Sequence, residues 1–373
     1  MIFRRSFRVF KKDSVLRCIL PAGSLMSTHH NLPQQRAIDT AAPCAEHSDI
    51  SPLAATPTTP FPADLPMLPQ ALRLTSLHRQ QDSAGKHVHT AHLFHERAQL
   101  KVRWTMSHAD PRLRPGILVG ARWSGPGRCD ADGCLSVARL AVLERPATGV
   151  TLFDTVPPGW VRERTLVHRA RTLIDELPVA FQQLLHAVFW DGPRFRRFCT
   201  GPSSMQGHHD QTNGNLLHSV QVAEQVRALC SDRNHVHRGL AVLSALLHDA
   251  GKADEYVIRP DGSWGLSDRG RLLGHRVTVI EWIAAAIARW SIRLPDGHVE
   301  ALLHNLSAVA HAPAWMGLRE PQTAEAELLS VADRLSGTDD LMQRCLPRTN
   351  GWGRYHPHLR RKPYRVTVQD PEA

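Results

Sequence analysis

The sequence predicts a mainly α protein in which a helical bundle follows a small β domain and a basic N-terminal region. Three observations carry this prediction. Helix-period apolar residues dominate from Val161 onward, short β-like runs separated by glycine turns occupy residues 88–157, and residues 1–87 are basic or rich in Pro, Ser and Thr. The predicted units are therefore 1–87, 88–157, an all-α domain at 160–345 and a basic, aromatic tail at 346–373.

The N-terminal region is predicted to be mostly disordered. A stretch such as Ser51–Pro60, with its repeated Pro and Thr, cannot bury enough apolar surface to offset the entropy lost on ordering. The one exception we expect is a short helix near Leu68–Leu77.

Residues 88–157 are predicted to form a small sheet or barrel. Gly-containing turns such as Ser124–Gly127 and Asp130–Gly133 separate the β-like runs. The predicted strands are Leu100–Trp104, Gly116–Val119, Leu135–Leu140 and Val150–Phe153. A five-stranded oligonucleotide-binding (OB) barrel and a plain structural sheet both fit this pattern.

Residues 160–345 are predicted to hold about eight helices, because apolar residues recur at helical spacing between Pro and Gly breakers. The segments are 162–176, 178–190, 193–200, 214–230, 237–249, 271–291, 298–311 and 322–337.

The net charge of +10 comes from the two ends of the chain. Residues 1–40 hold seven Lys/Arg and two Asp, and residues 344–373 hold seven Lys/Arg, one Asp and one Glu. Basic ends on a neutral body suit contact with nucleic acid or another anionic surface, although solvated ends are the simpler alternative. Scattered cysteines indicate reduced thiols in a cytoplasmic protein, and no apolar run approaches the length of a membrane span.

Four polar residues interrupt otherwise apolar helical segments. His218 shares a helix face with Val222, His248-Asp249 ends an apolar run, and Asp333 lies in the apolar segment 328–335. Buried imidazole and carboxylate groups are costly without partners. Facing helices in a bundle are a common place for a metal site, and N/O ligands without thiolate suit Mn, Fe, Mg or Zn.

Further polar residues surround this set. Lys252 is placed either to neutralise a phosphoryl oxygen or simply to interact with the end of the helix dipole. His275 and His311 point toward the core on their helical patterns and are candidates for a second metal or a phosphate contact. His208 and His209 lie in a predicted loop and are candidate substrate contacts.

The pattern His218, His248-Asp249, Asp333 resembles the HD-domain superfamily of metal-dependent phosphohydrolases, from about Leu177 to Gly337. More narrowly, the lead-in Phe198–Ser219, with its double His, resembles YhaM-type 3′–5′ exoribonucleases and the HD module of TraI-like (relaxase-associated) proteins of integrative conjugative elements. The sequence departs from these relatives at Asn213-Gly214, where they carry paired glycines, and at Ala310–Trp315, where a double-His segment is expected.

The resemblance implies an enzyme in which a divalent metal activates water for attack at phosphorus. The expected activity is that of a phosphodiesterase or nuclease on single-stranded RNA or DNA, and an OB barrel before the HD domain is expected by the same analogy. The alternatives are a TraI-like component of conjugative DNA transfer, a small-nucleotide phosphohydrolase and a non-enzymatic interaction module. No phosphate loop of the GxxxxGK[ST] type is present, so a helicase motor is not supported.

Overall fold

A computed structural model describes residues 68–124 and 129–367. Of the region 1–87 that was predicted to be mostly disordered, residues 1–67 lie outside the described residues, whereas Leu72–Gln81 forms a strand, so the prediction is wrong there. Within the described residues a five-stranded barrel precedes a helical region, which confirms the predicted fold class.

The barrel closes in the strand order β1-β2-β3-β5-β4. Its β3 and β5 strands pair in parallel, with Val102 opposite Leu135, while the other neighbours are antiparallel. A closed sheet of five strands is the architecture of oligonucleotide-binding barrels. The strands are β1 Leu72–Gln81, β2 His87–His95, β3 Ala98–Met106, β4 Leu118–Trp123 and β5 Leu135–Val142.

Alternation of side chains explains how the barrel fills its interior. Along β3, Leu100, Val102 and Trp104 are buried while the residues between them are more exposed. Successive side chains of a strand point to opposite faces, so these three enter the barrel core.

Two local predictions in this region are wrong. The short helix expected near Leu68–Leu77 is instead the start of β1, because its pairing with β2 from Arg73 to Gln81 satisfies the backbone. The strand expected at Val150–Phe153 is replaced by a 3-10 turn, Leu152–Thr155, whose side chains pack where the barrel meets the bundle.

The helical region contains ten helices and a short hairpin among the described residues. The predicted segment 271–291 is split at Gly274, which has a positive φ of 71°. The helices are α1 Arg164–Asp175, α2 Val179–Val188, α3 Gly192–Thr200, α4 Gly214–Leu229, α5 Arg238–Leu247, α6 Lys252–Glu255, α7 Asp268–Leu272, α8 Gly274–Trp290, α9 His298–Ser307 and α10 Ala324–Cys345; the hairpin is β6 Tyr256–Ile258 with β7 Trp264–Leu266.

Buried Arg73 links the barrel to the bundle. Its guanidinium donates to the Gly116 carbonyl at 2.9 Å and to Thr155 Oγ1 at 2.7 Å, and it lies over the Phe195 ring at 5.4 Å. Burial lowers the pKa of Arg73 to about 9. No described helix is both long and apolar enough to cross a bilayer.

Two buried histidines outside the bundle centre make stability depend on pH. Burial lowers the pKa values of His95 and His186 from 6.5 to about 4. As pH falls below 6.5, the unfolded chain binds protons that the folded chain does not, so stability is lost between pH 6.5 and 4. We expect each histidine to cost about 2 kcal/mol of unfolding free energy at pH 5 relative to pH 7.5.

Urea unfolding of the wild type and His186→Leu at these two pH values measures the effect. The variant should lose less stability on acidification than the wild type. Equal losses in the two proteins would contradict the assignment for His186.

Candidate metal centre

Helix α4 carries His218 into the middle of the bundle. The helix begins at Gly214, where a Cβ would lie only 2.0 Å from the His209 carbonyl oxygen. Asn213, in the left-handed region, fixes the preceding turn by donating its side-chain amide to the carbonyls of Trp160 and Cys199 at 2.7 and 2.6 Å. His218 is thereby placed one turn into α4 and is fully buried.

His248 and Asp249 follow directly after α5. The turn that holds them is fixed by Asn215, whose amide donates to the Asp249 carbonyl at 3.2 Å. It is also fixed at Gly251, where a Cβ would lie 2.1 Å from the His275 carbonyl oxygen. The start of α6 and the start of α8 therefore approach each other at backbone distance.

Asp333 of α10 completes the set of converging donor atoms, since α10 packs against both α4 and α5. Its Oδ1 lies 3.1 Å from His218 Nε2 and 3.8 Å from His248 Nε2. The two Nε2 atoms are 3.2 Å apart, and Asp249 Oδ2 lies 3.4 and 3.5 Å from them. Asp333 is the open side of the cluster, with 40% of its side chain exposed.

The outer nitrogens of both imidazoles are already bonded. His248 Nδ1 lies 2.7 Å from the Ala245 carbonyl, which only accepts, so Nδ1–H donates and Nε2 faces the cluster. His218 Nδ1 lies 3.1 Å from Ser336 Oγ, which in turn lies 3.0 Å from Gln221 Oε1. Bonds of this kind to the outer nitrogen are how metal-binding imidazoles are oriented.

The charges of the cluster favour a cation. Burial alone would raise the pKa values of Asp249 and Asp333. The charge of Lys252 instead holds the pKa of Asp249 well below its ordinary range. Hydrogen bonds to His218 and His248 do the same for the pKa of Asp333. Burial lowers the pKa of His218. Burial also opposes protonation of His248, yet the carboxylates of Asp249 and Asp333 outweigh it and raise its pKa. The anionic pair thus draws a proton to the place where a metal ion would bind.

The residues present fit a divalent metal ion. Donor atoms of His218, His248 and Asp333 lie within 4.8 Å of one another, with Asp249 beside them. Two imidazoles and two carboxylates, without thiolate, match the donor types of Mn, Fe, Zn and Mg sites. The four residues predicted from the sequence are therefore brought together.

Comparison with known families decides what this region is. Residues 215–338 match the family model of the HD domain, and this span contains all four clustered residues. The chain contains an HD domain.

Related proteins agree with this assignment. The chain is 27% identical over 154 residues to the 3′–5′ exoribonuclease YhaM of Geobacillus sp. (strain WCH70), covering 41% of the chain and 46% of that protein. It is 27% identical over 152 residues to YhaM of Bacillus subtilis (strain 168), covering 40% and 47%. The chain thus spans about half the length of these curated relatives, and no solved structure matches it. The predicted resemblance to the HD superfamily and to YhaM is confirmed.

Lys252 lies against the cluster in the HD domain. Its ammonium donates to Asp249 Oδ2 and lies 3.2 Å from Ser203 Oγ, with 10% of the side chain exposed. It starts α6 instead of capping α5, so the alternative role at the end of the α5 dipole is not supported by its position. Its predicted contact with a phosphoryl oxygen stays a prediction.

The two other candidate histidines, His275 and His311, differ in how close they lie to the cluster. His275 Nε2 lies 3.5 Å from Asp249 Oδ1, and its Nδ1 lies 2.7 Å from Glu255 Oε2. His311 is instead exposed, in a turn after α9 with a φ of 60°, so its expected inward orientation is wrong. Its helical pattern was misleading because α9 ends earlier, at Ser307.

His208 and His209 lie beside His218, with ring centroids 4.6 and 5.2 Å from it. With His218 they form a second group whose donor atoms lie within 4.8 Å of one another. Hydrogen bonds account for this group, because His209 Nε2 lies 2.8 Å from Gln221 Oε1 and His209 Nδ1 lies 3.1 Å from His208 Nδ1. His209 is only 1% exposed, whereas half-buried His208 is better placed for the predicted substrate contact.

Sequence reasoning missed the residues that orient His218. Gln221 accepts from both His209 and Ser336, and Ser336 lies within hydrogen-bonding distance of His218. A signal was present, since Gln221 follows His218 by three residues and Ser336 follows Asp333 by three, which places each pair on one helix face.

Ser336→Ala should weaken metal binding about 10- to 100-fold, because loss of an outer contact leaves the His218 ring free to turn. Calorimetric titration with Mn²⁺ measures this, with Ser231→Ala in the exposed turn after α4 as the control. Equal affinity of the Ser336 variant and the wild type would show that the network does not orient His218.

Proposed function

We propose that this protein is a metal-dependent phosphodiesterase that cleaves single-stranded nucleic acid, with His218, His248, Asp249 and Asp333 holding the metal. One observation carries the proposal. Two buried imidazoles, oriented from outside, meet two carboxylates at 3.1 to 3.8 Å, beside a lysine, in an HD domain.

The bound ion would polarise a phosphoryl oxygen and lower the pKa of a water molecule. The chain's own residues supply the rest. Lys252 offsets the charge of Asp249 and places an ammonium at the edge of the cluster, where a phosphoryl oxygen can meet it. His275, held by Glu255, presents Nε2 to Asp249 and is our candidate for a second contact to phosphate or metal.

The barrel favours nucleic acid over a small nucleotide as substrate. It has the five-stranded closed form used by domains that bind oligonucleotides, and Arg73 joins it to the helical region at Phe195 of α3. The relatives that match the chain are 3′–5′ exoribonucleases by name. The barrel and the relatives both support a substrate that is a strand of nucleic acid, held by the chain and cleaved at the metal cluster.

The test is incubation of labelled single-stranded RNA, single-stranded DNA and free nucleotides with the protein in Mn²⁺, Mg²⁺, Zn²⁺ or chelator. We expect metal-dependent shortening of a single strand. Hydrolysis of nucleotides with no effect on either strand would contradict the substrate class.

Lys252→Gln should lower the cleavage rate about 100-fold, because it removes a charge that stabilises the transition state. Metal content, measured by elemental analysis, should stay at the wild-type level. An undiminished rate would exclude Lys252 from the reaction, and a loss of metal would show that Lys252 acts by positioning Asp249.

A further inference from the structure

The chain after α10 forms a small folded hairpin instead of a loose tail. Strand β8 (Gly351–Trp352) pairs with β9 (Tyr364–Arg365), and Trp352 lies opposite Tyr364. The hairpin rests on the end of α10, because the Arg354 amide donates to the Cys345 carbonyl at 2.9 Å. Close contact is enforced at Gly353, where a Cβ would lie 2.1 Å from the same carbonyl oxygen.

Three aromatic rings of this C-terminal hairpin are exposed. Trp352 is 70% exposed, Tyr355 57% and Tyr364 52%. The Trp352 and Tyr364 rings meet edge to face, with centroids 5.0 Å apart. A cluster of exposed aromatic rings on a folded element is typical of a binding site, because rings without a binding role are usually buried when the chain folds.

The hairpin carries only positively charged side chains among its Lys, Arg, Asp and Glu residues. Residues 346–367 hold six Lys/Arg and no Asp or Glu. Arg354 and Arg365 serve the fold, since their side chains donate to the carbonyls of Arg344 at 3.1 Å and Pro347 at 2.7 Å.

Three of the remaining four cations of the hairpin have no such partner among the described residues. Arg360, Arg361 and Lys362 are consecutive and exposed. In the described part of the chain, no acidic side chain lies within salt-bridge distance of these three.

We infer that the C-terminal hairpin binds single-stranded nucleic acid, with Trp352 and Tyr364 stacking on bases and Arg360–Lys362 contacting phosphates. This rests on the proposed function in that the bound strand would be the substrate. Exposed aromatic rings next to unneutralised cations are the combination used to hold single strands. The hairpin lies at the end of the helix that carries Asp333, twelve residues or about 18 Å along α10 from the metal centre.

The test measures binding by fluorescence anisotropy, with the full chain in EDTA and labelled, unstructured RNA and DNA strands of one sequence. The charge variant is Arg360→Gln/Arg361→Gln/Lys362→Gln. Its control, Arg227→Gln/Arg233→Gln/Arg238→Gln, removes the same charge near the opposite end of α10, where His237 contacts Glu325. The charge variant should bind more weakly, and its slope of log affinity against log salt should fall by about 2, while the control keeps the wild-type slope.

Stacking is tested separately. Trp352→Ala/Tyr364→Ala should weaken binding on the order of tenfold, and Trp352→Phe/Tyr364→Phe should restore most of the loss. Wild-type affinity and salt slope in the charge variant would overturn the inference. Displacement of the strand by polyglutamate as readily as by unlabelled strand would also overturn it, in favour of an acidic protein partner.

A dinucleotide substrate separates this inference from the proposed function, because it is too short to reach from the metal centre to the hairpin. The charge variant should hydrolyse it at the wild-type rate. Absence of hydrolysis in the wild type would count against the proposed function alone, since the binding measurement needs no metal.

Discussion

Asp249→Asn is expected to lower phosphodiester hydrolysis on the order of 1,000-fold. Asp249 is 4% exposed and its two oxygens serve different partners. Oδ2 faces both imidazole Nε2 atoms and accepts from Lys252, and Oδ1 faces His275. Asparagine keeps the shape but removes the charge, so both the metal and Lys252 lose their anionic partner.

Initial rates on a labelled single strand at saturating Mn²⁺ measure this loss. Asp261→Asn, in the exposed turn between β6 and β7, is the matched control and should keep the wild-type rate. A rate within about tenfold of the wild type in the Asp249 variant would be too small a loss for a metal ligand.

Gly251→Ala is expected to cause a large loss of stability at the turn that follows His248-Asp249. The φ of Gly251 is −62°, so alanine is acceptable to the backbone, but its Cβ would lie 2.1 Å from the His275 carbonyl oxygen. The clash is with main-chain atoms of His275 and not with a flexible side chain, so relieving it should cost about 3 kcal/mol. The midpoint of thermal unfolding should then fall by about 5–10 °C.

Calorimetry of Gly251→Ala beside Gly159→Ala isolates the contact, because a Cβ at Gly159 would meet no atom within 4 Å. The same displacement should separate His275 from Asp249 and weaken metal binding. Equal midpoints for the two variants would show that the backbone approach between α6 and α8 is not tight.

The sequence predicted the four cluster residues because each lies in, or directly after, an otherwise apolar helical segment. His218 on α4, His248-Asp249 after α5 and Asp333 on α10 could be placed by helical periodicity alone. Periodicity says which face points inward but not where a helix ends. His311 was therefore misplaced: α9 stops at Ser307, and the ring lies in an exposed turn.

Contacts between distant elements could not be predicted. The hydrogen bond between His218 and Ser336 joins residues 118 positions apart, and it exists only because α4 packs on α10. Strand β1 was missed for a similar reason, since its residues become a strand by pairing with β2 and β4. Local composition gave no sign of those partners.

The most direct test of the metal centre is elemental analysis of purified, dialysed protein, comparing the wild type with His218→Ala. His218 is fully buried, and its Nε2 lies within 3.4 Å of both carboxylates and of His248 Nε2. An exposed histidine between α4 and α5, replaced in His235→Ala, provides the control. We expect a stoichiometric divalent ion in the wild type and in the control, and none in His218→Ala. Equal metal content in all three proteins, or none in any of them after exposure to Mn²⁺, Zn²⁺ and Fe²⁺, would contradict it.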